Sequence, residues 1–241
     1  MVGITKFCIH PPEWFQQKKR VGGTKTVDFG KVAALSPDLI IGNKEENEEA
    51  QIRALETRFP VWMSDVQDLP DACAMIRSIG ALTGTGARAE TLAIQGEKNF
   101  TELRALLPPN RIRAAYFIWR KPYMVAAGQT FVDAMLREAG FDNVFSTLNR
   151  YPEVTMEMVA ARKPEVLLLS SEPFPFSEKH FGPFQAAMPG IPVVVVDGEL
   201  FSWYGSRLLQ APAYFRKLRE SLILADSGHN IHGGAPNNGG F

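Results

Sequence analysis

The segment "GARAETLAIQGEKNFTELRALLPPN", residues 86–110, decides the fold of this 241-residue chain. It predicts one helix from about Ala87 to Leu107, closed by the proline pair at 108–109. At 1.5 Å per residue, such a helix is about 30 Å long. Gly96 near its middle costs about 1 kcal/mol relative to alanine. Because strand and helix patterns alternate on both sides of this segment, we interpret it as a stiff connection between two α/β halves.

Short apolar runs mark the predicted strands. Each run contains β-branched or aromatic residues and is bounded by turn-forming or polar residues, as buried strands are. The runs occupy residues 39–43, 61–64, 114–120, 166–171 and 193–197. Helices are predicted around them at 28–35, 45–58, 68–84 and 128–141. This alternation is typical of parallel sheets that are covered by helices.

The long helix and the alternation together predict the domain organisation. We expect an N-terminal α/β lobe at 1–85, a lobe-spanning helix at 86–108 and a C-terminal α/β lobe at 109–226. The Gly- and Asn-rich residues 227–241 are expected to be disordered. One continuous sheet, with the long helix as an ordinary crossover, is the alternative.

Composition excludes several classes of function. Lys and Arg together number 26, as do Asp and Glu, so the chain has no general attraction to nucleic acid or to an anionic membrane. Cys8 and Cys73 provide neither a disulfide framework nor a CxxC metal motif. No apolar run approaches the roughly 18 residues that span a membrane. The N-terminus has no signal-peptide pattern and opens inside an apparent strand, so we expect that an earlier part of the protein precedes it.

The predicted strands of the C-terminal lobe end in aromatic and charged residues. In an open α/β sheet, ligands bind outside the carboxyl ends of the strands. Aromatic faces suit a large, partly apolar ligand, and arginines suit its carboxylate, phosphate or amide oxygens. The alternative is that the aromatic residues cap the sheet and pack against one another. The candidate ligand-binding residues are Trp119, Arg120, Tyr123, Arg150, Tyr151, Glu172, Phe201, Trp203, Tyr204 and Arg207.

Other chemistries are weakly represented. The stretch "RVGGTKT" at 20–26 places two glycines and Lys25 in a loop, but it lacks the GxxxxGK[ST] spacing of a phosphate loop. We find no GxSxG motif and no acid–base pair, so we expect no enzymatic activity. His10 and His180 are candidate metal ligands together with Glu172, yet a metal site needs three or four converging ligands. We therefore predict no metal site.

Several motifs occur in the order in which one protein family has them. "VGITKFCIHPP" at 2–12 and "RVGGTKTVDFGKVAALSPDLIIGNKEEN" at 20–47 precede the long helix. "GFDNVF" at 140–145, "RYPEVTMEMVAARKPEVLLLSSE" at 150–172 and "DGELFSWYGSR" at 197–207 follow it. Over about residues 1–225 the chain thereby resembles the periplasmic binding proteins for cobalamin and iron-siderophores. Members of that family have two α/β lobes with mainly parallel sheets, joined by one rigid helix.

The resemblance implies the solute-binding component of an ABC importer, without an intrinsic cofactor. Its ligand would be a cobalamin-like corrinoid or a ferric chelate, held between the two lobes, and Tyr151 matches the family's ligand-contacting aromatic residue. Family members dock on a membrane permease through one exposed glutamate per lobe, and the matching positions here are Glu49 and Glu157. The resemblance also implies a monomer that is periplasmic or anchored outside the cytoplasm, with small closure movements because the connecting helix is stiff.

The sequence departs from the family pattern at two places. Family members have a further strand and helix before "VGIT", so we expect an N-terminal lobe that lacks its first strand and helix. Asn43 replaces the family's ligand-contacting tryptophan, which makes the N-terminal half of the expected cleft more polar. The alternative function is a cytoplasmic metallocofactor- or metal-binding protein, or an enzyme, on the same scaffold. In its metal-binding form His10 or His180 would be a ligand.

Overall fold

The computed structural model describes residues 1–226, which fall into two compact units. The first unit runs from Met1 to Val66, and the second begins at Gln67. The tail at 227–241, which the sequence predicts to be disordered, lies outside the described residues.

The first unit contains two small parallel sheets. Strand β1 pairs with β2, and β3 pairs with β4. Side chains of Val32, Ile52 and Leu55 form its buried core. In chain order its elements are β1 (Gly3–Ile4), α1 (Pro12–Gln17), β2 (Lys19–Arg20), α2 (Phe29–Leu35), β3 (Ile40–Asn43), α3 (Glu49–Glu56) and β4 (Val61–Ser64).

The second unit begins with two helices and continues as one α/β layer structure. Its helices are α4 (Leu69–Leu82), α5 (Gly86–Leu106), α6 (Phe131–Glu138), α7 (Met156–Ala161), α8 (Phe181–Ala187), α9 (Gly198–Ser202) and α10 (Ala211–Asp226). Its strands are β5 (Ile112–Trp119), β6 (Tyr123–Val125), β7 (Phe141–Asn143), β8 (Glu153–Val154), β9 (Val166–Ser170) and β10 (Val193–Val196). Two short 3-10 turns lie at Glu178–His180 and Ser206–Leu209.

One six-stranded sheet organises this unit, in the order β10-β9-β5-β6-β8, with β7 also paired to β5. Strands β5, β7, β9 and β10 are parallel, whereas β6 and β8 join in antiparallel pairs. The register pairs Ala114 with Val166, and Leu167 with Val193. Because β5, β9 and β10 run in the same direction, their carboxyl ends lie at one edge of the sheet. The α/β fold class predicted from the sequence is confirmed, including all five predicted strands.

The long helix α5 spans 21 residues, close to its predicted extent. It packs against α4, where a Cβ atom on Gly80 would lie 2.3 Å from the Cβ atom of Ala89. Glycine at this position therefore allows the two helices to approach closely. The guanidinium of Arg77 on α4 also bridges Glu90 and Glu97 on α5. Both helices consequently belong to the second unit, whose boundary at Val66/Gln67 precedes the lobe boundary predicted at residue 85.

Helix ends follow local sequence signals. Asp68 caps α4 by accepting a hydrogen bond from the backbone N–H of Asp71 at 2.9 Å, as the sequence predicts. Asp28 caps α2 in the same way through the N–H of Lys31. Among the helices of residues 1–226, none is long and apolar enough to cross a membrane.

Candidate ligand-binding site

Aromatic side chains collect where β5 and β9 end. Trp119 is the last residue of β5 and is 39% exposed. Its ring meets the ring of Phe174 edge to face, with centroids 5.7 Å apart. The backbone N–H of Phe174 donates to the carbonyl of Ile118, which holds the loop after β9 against the end of β5. Trp119 therefore presents an aromatic surface from an ordered position. Arg120 follows it and is half-buried.

Trp203 lies beyond the end of β10, and a carboxylate orients it. Its indole Nε1–H donates to Oε1 of Glu172 at 2.8 Å, and the hydroxyl of Ser202 donates to the same oxygen at 2.5 Å. Glu172 belongs to the loop after β9, so these bonds join the loops that follow two neighbouring strands. A Cβ atom on Gly198 would lie 2.5 Å from Cγ of Glu172, and glycine is therefore needed for this approach.

Two further carboxylates influence Glu172, the residue that accepts the hydrogen bond from this tryptophan. Burial raises the pKa of Glu172 above its ordinary value, and nearby Glu199 and Asp197 add to the increase, while the bonds from Ser202 and Trp203 oppose it. Burial likewise raises the pKa of Asp197. Arg207 forms an ion pair with Glu199 and lies 6.0 Å from the ring centroid of Trp203. Sequence reasoning missed Glu199, although its position just after a predicted strand end is a usable signal.

Tyr204 follows Trp203 in the chain and is a further partly exposed aromatic residue near the end of β10. It is half-buried, and its ring lies 5.1 Å from that of Phe131, at the start of α6. Phe131 itself is buried. The structure thus brings together Trp119, Glu172, Trp203, Tyr204 and Arg207 around the strand ends of the second unit.

Two of the predicted ligand-binding residues, Phe201 and Tyr123, pack largely against other rings inside the second unit. Phe201 has no exposed surface, and its ring packs 4.6 Å from Phe215 and 5.1 Å from Tyr116. We correct its predicted role: it supports the site from within the core, because the short helix α9 turns it inward. Tyr123 packs against the rings of Phe117 and Phe184, so only part of it reaches the surface.

Arg150 and Tyr151 precede β8 rather than following β5, β9 or β10. The guanidinium of Arg150 lies 6.0 Å from the ring centroid of Tyr151. The backbone of Arg150 exchanges hydrogen bonds with Ala127 and Gly128. Their roles as ligand contacts stay predictions.

The two predicted docking glutamates are both exposed. Glu49 is the first residue of α3 and lies 3.5 Å from the guanidinium of Arg53. Glu157 lies in the first turn of α7, where hydrogen bonds from the Thr155 hydroxyl and from its own backbone N–H lower its pKa. Both carboxylates therefore stand at helix N-termini, where a negative charge is favourable.

The histidine candidates have ordinary environments. His180 is buried, and its Nδ1 accepts a hydrogen bond from the backbone N–H of Ser177 at 3.0 Å. His10 is exposed in the first unit. Within residues 1–226, no three His, Cys, Asp or Glu side chains are grouped so that they could hold a metal ion.

A known protein family matches most of this chain. The model of the family described as "Periplasmic binding protein" matches residues 1–196. This chain belongs to that family. The predicted resemblance is confirmed, and the family is one of binding proteins rather than enzymes.

Relatives and solved structures agree with this membership. A vitamin B12-binding protein of Pectobacterium carotovorum subsp. carotovorum (strain PC1) is 23% identical over 216 residues, which are 88% of this chain and 77% of that protein. The crystal structure of the periplasmic vitamin B12-binding protein of Vibrio cholerae has a TM-score of 0.76 at 20% identity, covering 92% of this chain and 89% of that one. The periplasmic haem-binding protein from Roseiflexus sp. RS-1, in its apo form, has a TM-score of 0.75 at 23% identity, with coverages of 93% and 90%. These structural likenesses show the shared fold.

Proposed function

We propose that this protein is the solute-binding component of an ABC importer and that it binds a corrinoid or an iron chelate such as haem. The observation that carries this proposal is the aromatic surface at the strand ends of the second unit. Trp119 is exposed there on a fixed strand, and Trp203 is oriented by Glu172. Flat, polarisable ligands of this class gain affinity by lying against such rings.

The relatives support the ligand class. Vitamin B12-binding and haem-binding proteins both occur among the similar proteins, and both ligands are large macrocycles that hold a metal. The protein needs no catalytic group for this task, because the ligand leaves unchanged. Binding outside the cytoplasmic membrane, before transfer to a permease, is the location that fits the family.

Docking on the permease is assigned to Glu49 and Glu157. Each carboxylate is exposed, and each belongs to a different unit. Two separated negative charges fix the orientation of a partner that carries matching arginines, and they accelerate the encounter.

Fluorescence titration tests the binding proposal. Purified protein is titrated with cyanocobalamin, haemin and a set of ferric siderophores, and tryptophan emission is followed. We expect saturable quenching by one ligand class, reduced in Trp203→Phe and Trp119→Phe but retained in the control Trp14→Phe, which changes an exposed tryptophan of the first unit. Absence of quenching by every chelate, with zinc or iron present in the purified protein by elemental analysis, would favour the alternative metal-binding function.

A further inference from the structure

The first unit contains an ordered loop that has no part in the proposed function. Residues 22–26, here called the 22–26 loop, follow β2 at its carboxyl end. Gly22 has a φ of 107°, and a Cβ atom there would lie 2.4 Å from the carbonyl oxygen of Thr26. The backbone conformation at Gly22 therefore requires glycine. The backbone N–H of Gly23 also donates a hydrogen bond of 3.1 Å to the carbonyl of Thr26, across the loop.

Side-chain amides hold the carbonyl oxygens of the 22–26 loop toward the body of the unit. Nδ2 of Asn47 donates to the oxygen of Thr24 at 2.9 Å, and Nε2 of Gln51 donates to the oxygen of Lys25 at 2.7 Å. The same two side chains accept from the backbone N–H groups of Asn43 and Val27. Each side-chain amide thus donates through its nitrogen and accepts through its oxygen, and the two amides together hold the 22–26 loop in place.

The orientation of these carbonyls determines the orientation of the neighbouring N–H groups. In a trans peptide the C=O and N–H bonds point in opposite directions. With the oxygens of Thr24 and Lys25 turned inward, the N–H groups of Lys25 and Thr26 point away from the unit. Within residues 1–226 neither N–H has an acceptor. Successive free N–H groups in a turn attract anions.

Positive charge adds to these two N–H groups. Lys25 is exposed at the tip of the loop. The Cε atom of Lys6, which follows β1, lies 3.2 Å from the position of a Cβ atom on Gly23, so Lys6 lies across the same loop. Neither lysine is paired with a carboxylate within the described residues. β1 and β2 are parallel, so both lysines stand at the carboxyl-end edge of that sheet.

We propose that the 22–26 loop binds an anionic oxygen group, a carboxylate or a phosphate, through the N–H groups of Lys25 and Thr26 and the ammonium of Lys25. This site lies entirely within the first unit and does not depend on the ligand of the proposed function.

Binding of a simple anion tests the loop itself. The 15N-labelled full chain is titrated with inorganic phosphate, and separately with acetate, at constant ionic strength. We expect saturable amide shifts centred on Lys25 and Thr26. Lys25→Gln should weaken phosphate binding about 5- to 10-fold. The control Lys31→Gln should change it less than about 2-fold, since Lys31 is an exposed lysine that is already paired with Asp28. Shifts spread over the surface, or none at Lys25 and Thr26, would overturn the proposal.

A second variant separates charge from loop geometry. Gln51→Ala keeps every lysine but releases the carbonyl of Lys25 and the N–H of Val27. We expect phosphate affinity to fall by a factor similar to that of Lys25→Gln, with the remaining amide spectrum preserved. Unchanged affinity would show that fixed N–H groups are not part of the site.

Discussion

The strand ends of the two units are built differently. In the first unit, amide side chains of Asn47 and Gln51 order a glycine-containing loop through hydrogen bonds to its backbone. In the second unit, ring packing and one carboxylate order the aromatic residues Trp119 and Trp203. The first surface is suited to charged oxygen atoms, and the second to flat apolar faces.

The size of the core explains this difference. The core cluster of the first unit has three buried side chains, whereas the large cluster around the sheet of the second unit has twelve. A small core provides little apolar surface on which large rings can rest, so hydrogen bonds must order the loop. A large core supports aromatic residues from beneath, as the ring of Phe174 supports that of Trp119.

The largest effect is expected where the aromatic surface meets the core. Phe201→Ala should lower the free energy of unfolding by about 3–5 kcal/mol, because it removes a fully buried ring from between Tyr116 and Phe215. Urea unfolding measures this loss. The control Phe7→Ala removes a ring that is 56% exposed and should cost far less. Similar costs for both would show that Phe201 does not anchor the site.

Trp203 tests the outer face of the same surface. Trp203→Ala should weaken binding of the quenching ligand by about 2–4 kcal/mol, as expected for a central aromatic contact. Titration calorimetry measures the affinity, with Trp14→Ala as a control from the exposed surface of the first unit. Unchanged affinity in Trp203→Ala would remove this residue from the site and leave it as a cap on the sheet.

Asn47 gives the corresponding test in the first unit. Asn47→Ala removes the hydrogen bonds to Thr24 and Asn43 and should cost about 1–3 kcal/mol of stability. Asn47→Asp keeps the acceptor for Asn43 but places a carboxylate oxygen against the carbonyl oxygen of Thr24, so a loss at least as large is expected. Hydrogen exchange of the amides in residues 22–27 reports the loss locally. Unchanged exchange in Asn47→Ala would contradict the view that side-chain hydrogen bonds order this loop.

The docking glutamates should produce a smaller effect. Glu157→Gln is expected to weaken association with the partner permease several-fold, mainly through a slower encounter, while ligand affinity is retained. Surface plasmon resonance at two salt concentrations measures both rates. Glu153→Gln, a change of an exposed glutamate on β8, is the matched control. Equal effects of the two variants would argue against a specific contact at Glu157.

Glu172 should produce the smallest effect, seen in the pH dependence. Burial raises its pKa above the ordinary value near 4.5, so the folded protein holds this proton more tightly than the unfolded chain. The free energy of unfolding therefore falls as pH rises from the unfolded pKa through the folded pKa. Glu172→Gln keeps an acceptor for Trp203 but cannot titrate. The free energy of unfolding of this variant, measured with urea between pH 4 and pH 8, should therefore fall less with rising pH than that of the unchanged protein. A decline as steep as in the unchanged protein, or as in the exposed control Glu178→Gln, would contradict the assignment.

Much of the fold could be predicted because its signals are local. The β-branched run "VVVV" forms β10, the segment before Pro108 forms α5, and Asp68 caps α4. The order of the family motifs also predicted the family. Placing α4 with the second unit required the close approach of Gly80 to Ala89, which no periodicity shows.

By itself, the sequence determined the strands, the long helix, the family and the presence of aromatic residues after the strand ends, because each depends on neighbouring residues. Only the tertiary structure decided which of these residues are buried and which reach the surface. Phe201 and Trp203 are two positions apart, yet one is fully buried and the other binds the carboxylate of Glu172, 31 residues earlier in the chain. The hydrogen bonds from Asn47 and Gln51 to the 22–26 loop likewise join residues more than twenty positions apart. Such contacts form only when packing brings distant segments together, so a local pattern of residues cannot predict them.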